Sequence, residues 1–152
     1  KNKIATLPHG KIYKKRSRRM IIIETTKERL IEFTRMHDMY LSEWNKAMVS
    51  GDTSSVGKMA NHYFVVFLRG GNEKPIIFNR EEAIMGMQQS VKHFLGASKL
   101  FKNRVIRLRN AVVFYEQLIE KDGKILSRLF TIENWQIING EWSLIRETEE
   151  PI

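Results

Sequence analysis

Residues 112–149 read VVFYEQLIEKDGKILSRLFTIENWQIINGEWSLIRETE, and this stretch has the pattern of strands joined by tight turns. Asp122-Gly123 and Asn139-Gly140 are dipeptides that type I′ hairpin turns favour, because both central residues of such a turn need positive φ. The segments around them are rich in Val, Ile, Phe, Tyr, Thr and Trp, which favour strands. The stretch therefore predicts an antiparallel meander, and Leu100–Arg109 predicts a further strand before it.

The connection at Asn110-Ala111 does not fit a simple hairpin. A tight turn there would place Ala111 at positive φ, which a residue with a Cβ atom disfavours. Two alternatives follow: the strands join in another way, or loop residues near Asn110 are missing from the sequence.

A long helix is predicted upstream of these strands. Thr25-x-x-Glu28 has the spacing of a capping box, which marks a helix N-terminus. Apolar residues then recur at helical spacing through Val49. Ser50-Gly51 ends the helix, because Gly51 can adopt the left-handed conformation that closes a helix C-terminus.

Two further helices and a strand are predicted between the long helix and the meander. Asp52 or Thr53 can cap a short second helix that carries Val56, Met59 and Ala60. The β-branched and aromatic run 63–69 predicts a strand, and residues 75–78 predict a short extended segment. Asn79-x-x-Glu82 is a second capping box, which opens a third helix to about Leu95.

Helices followed by a long antiparallel meander are typical of the α+β class. We expect three helices packed on a curved antiparallel sheet, which together form a cone with a cavity. With 152 residues, of which 42% are hydrophobic, the chain is long enough for one domain with a proper core. We place that domain at residues 24–152, after a basic leader at residues 1–23 that is predicted to be flexible.

The net charge of +9 is concentrated in the leader. Residues 1–20 hold eight basic residues and no acidic one, so the other 18 basic residues nearly balance the 17 acidic ones. A basic tail can contact phosphates, but such tails are more often solvated, and nucleic-acid binding through residues 11–19 is not favoured. The sequence has no apolar run of about 18 residues and no signal-peptide pattern, and it lacks cysteine. We expect a cytoplasmic protein that does not enter a membrane.

Three local motifs resemble the nuclear transport factor 2-like superfamily, especially its small bacterial SnoaL-like members. They are Ser50-Gly51-Asp52 after a long helix, the run FNREEA at residues 78–83, and Trp135-x4-Gly140-x-Trp142 across the last hairpin. The resemblance covers roughly Thr25 to Glu149 and implies a cone-shaped α+β barrel with a pocket. That superfamily includes isomerases, dehydratases, hydrolases, cyclases, an oligomerising kinase domain and pocket proteins, so the fold does not imply one activity.

Strand alternation and the two turns define a candidate binding face. Pairing around the turns predicts Glu116 opposite Leu129, Glu133 opposite Arg146, and Trp135 opposite Leu144. The resemblance implies that the face with Glu133 lines the cavity. The candidate ligand-binding residues on and beside this face are Trp44, Arg107, Glu116, Glu133, Trp135 and Arg146. The alternative is that Glu133 and Arg146 form only a structural ion pair.

The residues do not identify a catalytic group. Ketosteroid isomerase-like members use a tyrosine as an oxyanion donor and an aspartate as the general base. The resemblance would place these residues at Trp44 and near Phe67, and neither is present. Glu133 alone would match the position of their second acid. No histidine pair has metal-ligand spacing, so we expect neither a metal nor a cofactor.

The predicted function is the binding of an unidentified small hydrophobic molecule in a pocket. Both faces of the predicted sheet are substantially apolar, which indicates a homodimer formed through the face that the helices leave open. Two alternatives remain. One is a lyase or isomerase that uses Glu133 or Glu116 with a raised pKa, and the other is an oligomerisation module.

Overall fold

The computed structural model describes residues 7–152, with side chains from Thr26 onward. The chain divides into two compact units, one ending at Arg35 and the other spanning Met36–Ile152. Helix α1 (Leu7–Ser50) begins well before the predicted capping box at Thr25, so that predicted start is wrong. No Pro or Gly interrupts residues 11–50, and Lys, Arg, Met and Glu favour a helix there. The assignment of residues 1–23 as a separate leader stays a prediction.

The predicted end of α1 is confirmed. Gly51 has a φ of +79°, and its N–H donates to the carbonyl of Ala47 at 2.8 Å. Glycine reaches this left-handed conformation without a steric penalty, which is why the helix closes here. None of the helices in residues 7–152 has a long apolar segment of the kind that crosses a membrane.

The predicted second helix does not form, and the described part of the chain has two α-helices instead of three. Residues 52–58 form a loop with one turn at Ser54-Ser55, and the carboxylate of Asp52 accepts the N–H of Ser54 at 2.9 Å. This local hydrogen bond competes with helical backbone bonding, and Gly57 further disfavours a helix. Strand pairing then takes Met59 and Ala60, which were predicted to be helical.

The α+β class and the curved antiparallel meander are confirmed. The six strands are β1 (Met59–Phe67), β2 (Ile76–Asn79), β3 (Ser98–Arg107), β4 (Val112–Lys121), β5 (Lys124–Ile138) and β6 (Glu141–Pro151). Their order in the sheet is β2-β1-β6-β5-β4-β3. All neighbours are antiparallel except β1 and β6, which run parallel. Both hairpin turns have positive φ at each central residue, as the dipeptides predict.

The third predicted helix forms as α2 (Arg80–His93), after β2. Its capping box is complete, because Asn79 accepts the N–H of Glu82 at 3.0 Å and Glu82 accepts the N–H of Asn79 at 2.8 Å. Met87 and Val91 are its buried residues. The capping-box motif in the sequence thus predicted the first residue of this helix correctly.

Ala111 resolves the problem of the β3–β4 connection. A single 3₁₀ turn at Leu108–Asn110 joins the strands, and Ala111 follows it with a φ of +49°. The carbonyl of Ala111 accepts the N–H of Trp135 at 2.8 Å, so the unfavourable conformation is held by a bond to β5. The two strands are thus joined by a 3₁₀ turn in place of a two-residue hairpin turn, as the first of the two alternatives predicts.

Bulges change the predicted register of the meander. Irregularities lie between Ile119 and Glu120 in β4–β5 pairing and between Asn134 and Trp135 in β5–β6 pairing. An extra residue in one strand shifts the pairing by one and reverses which side chains share a face. Glu116 is therefore opposite Phe130, not Leu129, and Glu133 is opposite Glu147, not Arg146. The predicted pairing of Trp135 with Leu144 is confirmed.

Candidate functional site

The Met36–Ile152 unit contains a cavity of about 290 Å³. Its walls come from the C-terminal end of α1, from α2 and from one face of the sheet. The apolar part includes Met59, Val65, Phe78, Ala83, Met87, Phe94, Ile119 and Leu129. The polar part includes Tyr63, Glu82, Ser90, Lys99, Gln117, Glu147 and Glu149. A mainly apolar cavity with a few polar groups is the usual form of a small-molecule site.

Lys99 is the buried cation of this cavity, with only 7% of its surface exposed. Its Nζ lies 3.4 Å from the centroid of the Trp44 ring, which is close enough for a cation–π interaction. Burial lowers the pKa of Lys99 to about 8, although the charges of Glu149, Glu147 and Glu133 oppose that shift. Desolvation therefore outweighs the attraction of the carboxylates.

The backbone of Lys99 is fixed by the side chain of Asn45. The Asn45 amide donates to the Lys99 carbonyl at 2.8 Å, and its oxygen accepts the Lys99 N–H at 2.7 Å. The amide thus acts like a neighbouring strand for the edge strand β3. This pair of bonds holds Lys99 in place before any ligand arrives.

Glu147 and Glu149 are alternate residues of β6, so both point to the cavity face. Burial, together with the charges of Glu149 and Glu133, raises the pKa of Glu147 to about 8. Burial is also the main cause that raises the pKa of Glu149, while Lys99 opposes it. Tyr63 donates a hydrogen bond to Glu147. One end of the cavity therefore combines an amine with two carboxyl groups that resist ionisation.

A second cluster surrounds Glu133, which is fully buried. Its carboxyl group accepts hydrogen bonds from Tyr115 Oη at 2.6 Å and from Trp135 Nε1 at 2.8 Å. The same group lies 2.7 Å from His37 Nε2. Three side chains from α1, β4 and β5 thus converge on one carboxyl group, which ties the helix to the sheet.

Arg104 determines the hydrogen placement on His37. Its guanidinium lies 3.0 Å from His37 Nδ1 and 2.6 Å from a carboxylate oxygen of Asp38. A guanidinium has no acceptor, so Nδ1 must accept and Nε2 must carry the hydrogen that is donated to Glu133. The chain of contacts runs from Asp38 through Arg104 and His37 to Glu133.

The six predicted ligand-binding residues do not form one constellation. Trp44 lines the cavity, while Glu133 and Trp135 belong to the buried cluster. Glu116 lies on the opposite face of the sheet, where it pairs with Arg128 at 2.8 Å. The guanidinium of Arg146 lies 5.7 Å from the ring of Phe64. Arg107 is exposed at the end of β3.

These placements correct two predictions. The expected Glu133–Arg146 ion pair is wrong, because the bulge in β5–β6 pairing puts Glu147 opposite Glu133. A raised pKa at Glu116 is also wrong, since hydrogen bonds from Arg128 and Asn103 lower the pKa of that carboxyl group. The ligand-binding role of the six residues stays a prediction.

Three polar residues of the cavity were not predicted to be site residues: Lys99, Glu147 and Glu149. Lys99 interrupts an otherwise ordinary strand pattern, and Glu147 and Glu149 lie in a run of charged residues that is typical of a solvated strand end. Residues 147 and 149 alternate along a strand, which predicts that their side chains share one face of the sheet. The bulge determines which face that is, and the sequence does not reveal the bulge. Among residues 26–152, no cluster of three or more His, Asp or Glu residues could hold a metal ion.

Comparison with known proteins identifies the architecture. An NTF2-like protein with a cystatin-like fold from Novosphingobium aromaticivorans superposes with a TM-score of 0.61 at 9% identity, over 84% of this chain and 87% of its own. The chain has the nuclear transport factor 2-like fold. An NTF2-like protein of unknown function from Silicibacter pomeroyi has a TM-score of 0.54 at 12% identity, over 84% of this chain and 98% of its own.

A protein of unknown function with a cystatin-like fold from Nostoc punctiforme gives a TM-score of 0.56 at 18% identity, over 78% of this chain and 90% of its own. No family model matches the sequence, and no curated protein matches it. Sequence identities this low show that the chain shares the nuclear transport factor 2-like fold with these proteins, and they do not indicate a shared activity. The resemblance seen in the helix-break and hairpin motifs is thus confirmed for the fold.

Proposed function

We propose that the protein binds a small organic molecule in the cavity between α2 and the sheet. The observation that carries this proposal is a preformed cavity with apolar walls and a fixed polar end at Lys99 and Glu147. Apolar walls supply binding energy through the hydrophobic effect, and a few fixed polar groups orient the ligand.

The volume of about 290 Å³ limits the size of this ligand. Drug-sized ligands occupy pockets of ~300–1,000 Å³, and benzene fits a cavity of ~150 Å³. A molecule with one ring and a short polar substituent is the size that this cavity favours.

The polar end of the cavity favours an uncharged ligand that presents an oxygen acceptor. At neutral pH, the amine of Lys99 donates hydrogen bonds in its charged form, and a protonated Glu147 also donates. The pKa of about 8 at Glu147 keeps a donating carboxyl group available under these conditions. A carbonyl or hydroxyl oxygen complements both groups, whereas a carboxylate ligand would face Glu149 as well.

Filling the cavity from α2 tests the proposal. Gly86 lines the cavity, and a Cβ atom added there would meet no atom within 4 Å. Gly86→Leu is expected to reduce binding of benzyl alcohol at least tenfold, because the new side chain occupies ligand space. It should keep or raise the free energy of unfolding, since glycine costs a helix about 1 kcal/mol. Saturation-transfer NMR measures binding, and urea unfolding measures stability.

Gln89→Leu is the matched control, because Gln89 is an exposed residue of α2 that does not line the cavity. It should bind benzyl alcohol like the wild type. Equal binding by the wild type and Gly86→Leu would show that the molecule binds elsewhere, and the proposal would fail.

A second candidate function is proton transfer, as in the lyase and isomerase alternative. Glu147 favours it, because a carboxyl group with a pKa of about 8 can accept and return a proton near neutral pH. Deuterium exchange into the methyl group of acetophenone in D₂O should then be at least about 100-fold faster with the wild type than with Glu147→Gln. Glu150→Gln, an exposed control on β6, should exchange like the wild type. Equal exchange by the wild type and Glu147→Gln would rule this function out.

The sheet-mediated homodimer and the cytoplasmic location remain predictions. The face opposite the cavity carries the half-buried side chains of Phe114, Phe130 and Ile132. Apolar side chains on an open sheet face are compatible with a self-association surface. Native mass spectrometry would show a dimer mass if this face pairs and a monomer mass if it does not.

A further inference from the structure

Lys99 is placed differently from a lysine that serves only as a surface charge. Its side chain is buried, borders the cavity, and forms no ion pair with any carboxylate in residues 26–152. Lys102, three residues along the same strand, is exposed. A buried amine beside an apolar cavity is the arrangement in which lysine acts as a nucleophile.

We propose that Lys99 condenses reversibly with the carbonyl carbon of a small aldehyde or ketone held in the cavity. The inference rests on the proposed binding function and names the class of its ligand. The cavity brings together the amine, apolar walls for the rest of the molecule, and the carboxyl groups of Glu147 and Glu149.

The condensation needs no oxidant, reductant or metal. The unprotonated Nζ attacks the carbonyl carbon and forms a C–N bond, while the carbonyl oxygen takes a proton and becomes a hydroxyl group. The C–O bond then breaks, and the oxygen leaves as water. The amine gives up two hydrogens in total, the water gains both, and the product is a C=N bond.

Glu147 is placed to move these protons. It must donate to the oxygen as the C–O bond breaks and recover a proton from the nitrogen, which requires a carboxyl group that is protonated part of the time near neutral pH. Burial raises its pKa to about 8, which meets this requirement. Tyr63 donates to the same carboxyl group and so orients it.

The charged groups around Lys99 have opposing effects on its amine. Glu147 and Glu149 on β6 and Glu133 on β5 favour the charged form, as does the Trp44 ring. Burial has the larger effect and lowers the pKa of Lys99 to about 8, so a minority of the amine is neutral at pH 7. Glu82 on α2 and Tyr63 on β1 complete the polar lining. An amine with a pKa of about 8 is unprotonated about 300 times more often at pH 7 than one at 10.5.

Reductive trapping tests the proposal on the whole chain. The wild type is incubated at pH 7 with benzaldehyde and sodium cyanoborohydride, which reduces a C=N bond to a stable benzylamine. Peptide mass mapping then compares modification of Lys99 with modification of Lys102 in the same molecules. We expect the Lys99 peptide to gain one benzyl group at least about tenfold faster, because burial lowers the pKa of the Lys99 amine and the cavity holds the aldehyde beside it.

Two variants and one matched ligand make the outcome decisive. Lys99→Met should lose the fast adduct, and Glu147→Gln should slow its formation while urea unfolding stays cooperative. Modification of Lys99 no faster than that of Lys102 overturns the proposal. Benzyl alcohol, which has no carbonyl group, separates the two claims: if it binds while Lys99 is not labelled, only the condensation fails, and if it does not bind either, the proposed function fails as well.

Discussion

Glu133→Ala is expected to lower the free energy of unfolding by about 3–5 kcal/mol. The substitution removes the acceptor shared by Tyr115 and Trp135 and the partner of His37 Nε2. Each buried donor left without a partner costs about 1–3 kcal/mol, and the empty space adds to that loss. Equilibrium unfolding in urea, followed by circular dichroism, measures the change.

Two variants control this measurement. Glu133→Gln keeps the volume and one acceptor, so we expect an intermediate loss. Glu150→Ala removes an exposed glutamate from β6 and should change stability by less than about 0.5 kcal/mol. A loss at Glu133→Ala no greater than at Glu150→Ala would mean that the cluster does not hold α1 to the sheet.

The stability of the wild type is expected to pass through a minimum near pH 8. Below pH 8, Glu147 causes the change in stability, because folding raises its pKa from 4.5 to about 8. The folded state then binds more protons than the unfolded state, so stability falls as pH rises from about 5 to 8. One pKa unit corresponds to about 1.4 kcal/mol, which sets an upper limit of roughly 4 kcal/mol for this fall.

Above pH 8, Lys99 causes the stability of the protein to change in the opposite direction. Folding lowers its pKa from 10.5 to about 8, so the folded state binds fewer protons between these values. Stability therefore rises again from pH 8 to about 10, by at most roughly 3 kcal/mol. Urea unfolding at half-unit steps from pH 5 to 10 measures both limbs.

Each limb has its own control variant. Glu147→Gln should remove most of the fall below pH 8, and Lys99→Met should remove the rise above it. Glu150→Gln should leave both limbs unchanged, because Glu150 is exposed. A wild-type stability that is flat, or that increases, between pH 5 and 8 would show that Glu147 ionises as an ordinary carboxyl group.

The architecture could be predicted from the sequence because its strongest signals are local. Asp122-Gly123 and Asn139-Gly140 fix two turns through the φ values that their residues can adopt. The capping box at Asn79 fixes the start of α2 through two short-range hydrogen bonds. Such signals involve residues that are close in sequence, so they can be recognised without knowledge of the rest of the fold.

The candidate site could be predicted only in part, because it depends on bulges. A single extra residue near Ile145 moves Arg146 away from the cavity face and puts Glu147 on it. Nothing in the turn dipeptides encodes that shift, because the bulge lies several residues away from the Asn139-Gly140 turn on both strands. The same limit explains the absent second helix, where pairing of Met59 with Leu144 of β6 outweighs the local signal of Asp52.

The burial of Lys99 illustrates a different limit. Lysine is almost always exposed, so a sequence pattern assigns it to solvent. Here the two bonds from Asn45 and the ring of Trp44 hold it against the cavity, and both residues lie on α1, more than fifty residues earlier. The contact emerges only when the end of that helix is placed beside β3.

Native mass spectrometry is the most direct test of the cavity as a binding site. The wild type, Gly86→Leu and Gln89→Leu are each incubated with a mixture of small aromatic alcohols, aldehydes and ketones, then analysed under mild and harsh activation. We predict that the wild type and Gln89→Leu retain one releasable small molecule per chain and that Gly86→Leu retains none. Retention of the same molecule by Gly86→Leu, or no retention by the wild type, would contradict the assignment of this cavity as the site.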